Sequence, residues 1–180
     1  GKKYFFDVVI SSIVVQNIFN FVDKTHFPKN YVKNIKSLEG TGSLCAYYSL
    51  KKIDTGLLGK TFQFIERDVG VDGKDATGMI DFMSASPDSR VSPYNECLVQ
   101  SYIICTPDEA RDEKTLMKLR NILDKNLKKI IPDYKSNINW CFYPAIWHLD
   151  GIAKTINNEK PEIQTPIENF YLVGDCVNAP

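Results

Sequence analysis

Cys97-Leu98-Val99-Gln100-Ser101-Tyr102-Ile103-Ile104-Cys105-Thr106-Pro107-Asp108-Glu109 carries a strand and a helix start in one unbroken run. The first nine residues are apolar nearly throughout and rich in β-branched and aromatic types, which predicts a strand buried on both faces. Thr106 can cap a helix, Pro107 suits its first position, and Glu109 completes a capping box. Leu116, Leu119, Leu123, Leu127 and Ile130 then recur at steps of three or four, one apolar stripe on a long helix that Pro132 ends.

Working outward, Lys3–Ile10 reads as a strand, stopped by Ser11-Ser12, either of which can cap a helix from Ile13 to Val22. A short helix follows Pro28 through Tyr31, Val32 and Ile35. Glu39–Gly42 is a turn and Leu44–Leu50 a strand. Thr61–Ile65 and Met79–Ser84 are further strands, separated by a Gly- and Asp-rich loop over Asp68–Gly78. Ile138–Phe142 is a strand, and Phe170–Val173 is another that runs into Gly174-Asp175. Strands outnumber helices without strict alternation. The expected fold class is therefore α+β: a mixed, largely antiparallel sheet with helices packed on one face.

The 180 residues carry 22 basic and 22 acidic side chains, and that balance gives no electrostatic case for nucleic acid. It supports no peripheral membrane contact either. No apolar run approaches the roughly 18 residues of a spanning helix, and the start lacks the cleavage site of a signal peptide. The length suits one domain over 1–180. The five cysteines, Cys45, Cys97, Cys105, Cys141 and Cys176, are odd in number and form no C-x-x-C pair. They read as reduced thiols in a cytoplasmic protein.

Few residues suggest chemistry. The Asp68, Asp72, Gly73, Asp75 loop lacks the ligand spacing of an EF-hand and reads as a solvated hairpin loop. No phosphate-binding glycine motif and no paired metal-ligand histidines occur, so no metal site is expected. His26 reads as a surface residue near a helix start. His148, two residues before Asp150, reads more ordinarily as a packed histidine than as an active-site donor; His148 and Asp150 are catalytic candidates by position alone. Trp140, Phe142, Tyr143 and Trp147 fall within eight residues. They suit either a core or the wall of an apolar ligand pocket.

The last segment is the most telling. Thr165-Pro166-Ile167-Glu168-Asn169-Phe170-Tyr171-Leu172-Val173-Gly174-Asp175 resembles the C-terminal flavin-contacting motif of phytoene-desaturase-like FAD-dependent oxidoreductases, a superfamily that includes amine oxidases. Gly1–Ser11 resembles the segment that leads from the FAD domain of that family into its substrate domain. Ser86-Pro87 through Ser92-Pro93, followed by the strand to Cys105, is similar to the approach to a substrate-domain strand.

The resemblance covers essentially the whole chain. It implies a substrate-binding region bracketed by two FAD-domain strands, 1–11 and 170–180, with Gly174 and Asp175 as cofactor-binding residues. The implied partners are the remainder of the FAD domain and an apolar small molecule, with flavin as the hydride acceptor. The family's G-x-G-x-x-G is absent, and so is the Gly-rich turn it carries beyond Ala179-Pro180. This stretch by itself is therefore expected to be inactive and to hold no FAD. The rival reading is a non-enzymatic ligand-binding or protein-interaction domain on the same scaffold.

Overall fold

The computed structural model describes residues 2–51, 53–70, 73–84, 86, 89–94, 96–150 and 159–178, without the side chain of Asp150. Pro87-Asp88, Asp72 and the terminal Ala179-Pro180 lie outside the described residues. The sequence reading treats 1–180 as one domain; the fold divides into two compact units, Gly42–His148 on one hand and Gly1–Thr41 with Leu149–Pro180 on the other.

The larger unit is built on the quoted strand. That strand, β5 (Cys97–Cys105), lies near the middle of a six-stranded sheet with β2 (Thr41–Leu50), β3 (Thr61–Glu66), β4 (Ala76–Phe82), β6 (Ile138–Phe142) and β7 (Ala145–Asp150). The order is β3-β4-β5-β2-β6, with β7 also paired to β2. The β3-β4, β4-β5, β5-β2 and β2-β6 pairs are all antiparallel. One long helix, α2 (Glu113–Ile130), covers one face, so the α+β expectation holds. Its buried stripe of Leu119, Ile122, Leu123 and Leu127 meets Leu44, Ala46, Tyr48 and Leu50 of β2, Ile80 and Phe82 of β4, and Val99 and Ile103 of β5.

Several expectations change here. The central strand is not buried on both faces: Cys97, Val99, Ser101, Ile103 and Cys105 are buried, while Leu98, Gln100, Tyr102 and Ile104 are half-buried or exposed. The two-residue period of a strand sorts them, and the buried Val99 and Ile103 pack against α2. The capping box does form, with Thr106 N–H donating to Glu109 at 2.7 Å and Glu109 N–H to Thr106 Oγ1 at 3.2 Å. It opens a single 3-10 turn at Glu109–Arg111. The long helix starts after it, where Asp112 accepts from Thr115 N–H at 2.9 Å. Gly42 belongs to β2 rather than to a turn, and β7 escaped the sequence reading.

The outer strand β3 is tied to α2 by Glu66, whose carboxylate accepts from Lys125 at 3.0 Å and also from Lys129. These two ammonium groups, Lys129 first, hold the Glu66 carboxyl at about 2, well below its ordinary 4.5. A lowered folded pKa means stability that is present above pH 4.5 and lost as pH falls toward 2. Thermal unfolding of the wild type and of Glu66→Gln should therefore differ at neutral pH and converge in acid. A difference that persists undiminished at pH 2 would refute this linkage.

The smaller unit pairs β1 (Val9–Ser11) with β8 (Phe170–Leu172) in parallel. Val15, Ile18, Phe27, Ile35, Phe170, Leu172, Cys176 and Val177 form its core, with α1 (Lys29–Ser37) supplying Ile35. The helix expected over Ile13–Val22 is a 3-10 helix, Val15–Asn20, with no side-chain cap at Val14. Consecutive β-branched residues and two asparagines disfavour a longer α-helix. The first strand is also shorter than expected, and Tyr4, Phe5 and Phe6 are exposed.

Candidate functional site

The C-terminal motif builds a defined turn. Thr165 is buried; its hydroxyl donates to the Phe170 carbonyl at 2.8 Å and accepts from Ile167 N–H at 3.1 Å. Asn169 closes the turn in the left-handed region at φ 56°, a conformation that asparagine tolerates better than most residues. β8 then leaves in register with β1: Val9 opposite Phe170, Ile10 opposite Tyr171, Ser11 opposite Leu172. Val173 N–H extends the ladder to the Ser11 carbonyl at 2.9 Å.

Both strands thus end side by side, at Ser11 and at Gly174-Asp175. The carboxyl ends of parallel strands are where α/β sheets hold ligands. Gly174 sits at φ 113°, a conformation that L side chains rarely adopt, and a Cβ there would meet nothing within 4 Å. Gly174 and Asp175 are both exposed. The Asp175 carboxylate accepts a weak bond from Cys176 Sγ at 3.5 Å, and Lys160 holds the Asp175 main-chain carbonyl. The carboxylate keeps most of its accepting capacity.

The aromatic candidates lie in the larger unit and divide between environments. Trp140 pairs with Ser49 and Phe142 with Tyr47, so both rings stand on the sheet face opposite α2. They are 51% and 61% exposed, and Trp147 is 45% exposed with the Arg111 guanidinium 5.4 Å from its ring centre. These exposures correct the core reading for three of the four. Tyr143 joins the α2 side instead: its hydroxyl donates to Asp124 Oδ1 at 2.8 Å, and the Arg120 guanidinium lies 4.1 Å from its ring centre.

Tyr48, fully buried, donates to the same oxygen at 2.9 Å and packs edge-on to Tyr143 and Tyr134. Burial first, then the Asp124 charge, pushes the Tyr48 phenol far up. The same pair of causes puts Tyr134 at about 12. This Tyr48-Asp124-Tyr143 node fixes the turn between β6 and β7 to α2, and so orients the strands that carry Trp140, Phe142 and Trp147.

His148 is exposed rather than packed, and His26 is exposed as expected. Asp75 accepts from Arg67 and from Asp68 N–H, two bonds between the described ends of the acidic loop. Among the described residues, no group of three His, Cys, Asp or Glu side chains could hold a metal ion, and no helix is long and apolar enough to cross a membrane. Cys141 is exposed, the other four thiols are buried, and all five are free.

No family model matches the chain, and no curated protein matches it. Among solved structures it is similar to the crystal structure of an oxidoreductase from Methanosarcina mazei, with a TM-score of 0.69 and 14% identity over 97% of this chain and 39% of that one. At that identity the likeness shows the fold alone: an α+β fold shared with that structure. The chain spans 39% of the length of the structure it matches.

Proposed function

We propose that the chain is the substrate-binding region of an FAD-dependent oxidoreductase of the phytoene-desaturase-like type, acting on an apolar substrate with flavin as hydride acceptor. The observation that carries this reading is the parallel β1-β8 pair, which presents Gly174 and Asp175 together at its carboxyl end. The residues fit the cofactor. The space a Cβ would fill at Gly174 is open, so the backbone admits close approach. The Asp175 carboxylate can accept from a flavin ribityl or pyrophosphate-side hydroxyl.

The flavin, when bound, supplies the hydride chemistry. The protein's part is to bind and orient the substrate and to exclude water. The exposed rings of Trp140, Phe142 and Trp147 suit an apolar surface for that task. The partners on this reading are the remaining FAD-domain segments and the apolar substrate. Five free thiols support a cytoplasmic setting. No general base is assigned, since His148 shows no catalytic partner among the described contacts and the Asp150 side chain lies outside the described residues.

The test is flavin retention in the protein that carries this chain. Asp175→Ala removes a charge-assisted bond of about 1.5–3 kcal/mol, or roughly 10- to 150-fold in affinity. Asp75→Ala, whose partner is the exposed Arg67, should leave retention unchanged. Equal flavin content in the two variants overturns the assignment of Asp175.

A further inference from the structure

The sheet face opposite α2 carries a row of paired side chains that crosses five strands and is polar on four of them. Thr61 pairs with Asp81, Asp81 with Gln100, Gln100 with Tyr47, and Tyr47 with Phe142. Directly opposed residues on one face have Cβ atoms about 4.5–5.5 Å apart. The Thr61 hydroxyl donates to Asp81 at 2.8 Å, and Gln100 Nε2 donates to Tyr47 Oη at 3.0 Å.

Tyr47 and Gln100 are half-buried, reachable from solvent, and flanked by the exposed rings of Phe142 and Trp140. Their mutual bond leaves capacity unused. The Tyr47 O–H hydrogen is free to donate, and Gln100 Oε1 is free to accept. Turning the amide exchanges these roles and still leaves one donor and one acceptor.

Within this row and the one beside it, the described charged groups have one sign. Asp81 lies in the row, and Glu96 reaches the adjacent row by accepting from Ser49 at 3.2 Å. The strand positions that make up the two rows include no Lys or Arg.

From this geometry we infer that the Tyr47-Gln100 pair is a specificity element: it binds a neutral hydroxyl on an otherwise apolar molecule, in preference to a bare hydrocarbon or to a carboxylate. A hydroxyl both donates and accepts, which matches the pair. A hydrocarbon leaves both groups desolvated without partners, and a carboxylate meets Asp81 and Glu96 with like charge. The inference rests on the proposed function, of which it names the substrate class.

The chain has two tryptophans. In a Trp147→Phe background, Trp140 alone reports binding on this face by fluorescence. The probes are geraniol, myrcene as a hydrocarbon of equal carbon count, and geranate as the anion. Geraniol should quench Trp140 saturably and bind about three- to tenfold tighter than myrcene, the range of one or two neutral hydrogen bonds. Geranate should bind more weakly than geraniol.

Tyr47→Phe and Gln100→Leu should each erase the alcohol preference and leave myrcene affinity unchanged. Both replacements keep side-chain size at half-exposed positions, and if Gln100→Leu does not fold, Tyr47→Phe alone decides. Equal binding of geraniol and myrcene to the unmutated pair overturns the specificity element and leaves the apolar wall standing. So does an alcohol preference that survives both replacements. If none of the three probes quenches Trp140, the apolar wall falls, and this inference falls with it.

Discussion

Asp124→Ala should destabilise the sheet-and-helix unit by about 2–4 kcal/mol, although alanine is the better helix former at that site. One carboxylate oxygen accepts from two phenols, Tyr48 at 2.9 Å and Tyr143 at 2.8 Å. Tyr48 is fully buried, so its hydroxyl would lose its partner without gaining water. An orphaned buried donor costs about 1–3 kcal/mol, and the half-buried Tyr143 adds about 1.

The origin of the loss can be separated from the charge. In a Tyr48→Phe/Tyr143→Phe background no hydroxyl is left to orphan, so Asp124→Ala should there cost close to nothing. Denaturant unfolding of the four combinations gives the coupling directly. An undiminished cost of Asp124→Ala in the double-phenylalanine background would show that Asp124 acts through something other than the phenols. Because the node holds the β6-β7 turn, Asp124→Ala should also change Trp140 and Trp147 emission in the folded protein.

How far such features could be read in advance depends on the range of the interaction. The strand Cys97–Cys105, the capping box at Thr106–Glu109 and the apolar stripe of α2 are local patterns, and each is present where its spacing places it. The boundary between box and helix was not legible, because Asp112 is a second cap six residues on and both obey the same rule. The apolar composition of β5 hid its alternation. Ser101 and Gln100 are both polar, and only the position of α2 decides that Ser101 is buried while Gln100 looks outward.

The Tyr48-Asp124-Tyr143 node had no signal at all. Its members stand 76 and 19 residues apart in the chain, and Asp124 looks like any solvated acid on a helix. The terminal motif is the opposite case. Thr165, Asn169 and Gly174 each do a local backbone task, a turn bond or a positive φ, so their types and spacing are visible in one run. The aromatic cluster was legible as a group but not in its division, since alternation along β6 sends Trp140 and Phe142 to one face while Tyr143, beyond the strand end, turns to Asp124.

Gly78→Ala should cost about 3 kcal/mol or more. Gly78 lies in β4, opposite Ile103 of β5 and Phe64 of β3. A Cβ built there would stand 2.3 Å from the Tyr102 carbonyl oxygen and 2.4 Å from the Phe64 ring. Phe64 could swing aside. The carbonyl belongs to the central strand and cannot move without opening the β4-β5 ladder. Gly174 is glycine for a different reason: its φ of 113° strains any side chain, yet the space beside it is empty. The two replacements should therefore separate cleanly. Gly78→Ala should lower the melting temperature of the sheet and weaken amide-exchange protection in β4 and β5. Gly174→Ala should leave that protection intact and, on the proposed cofactor reading, lower flavin retention in the protein that carries the chain. If amide protection across β4 and β5 is unchanged in Gly78→Ala, the close approach of these two strands is not what keeps a glycine there.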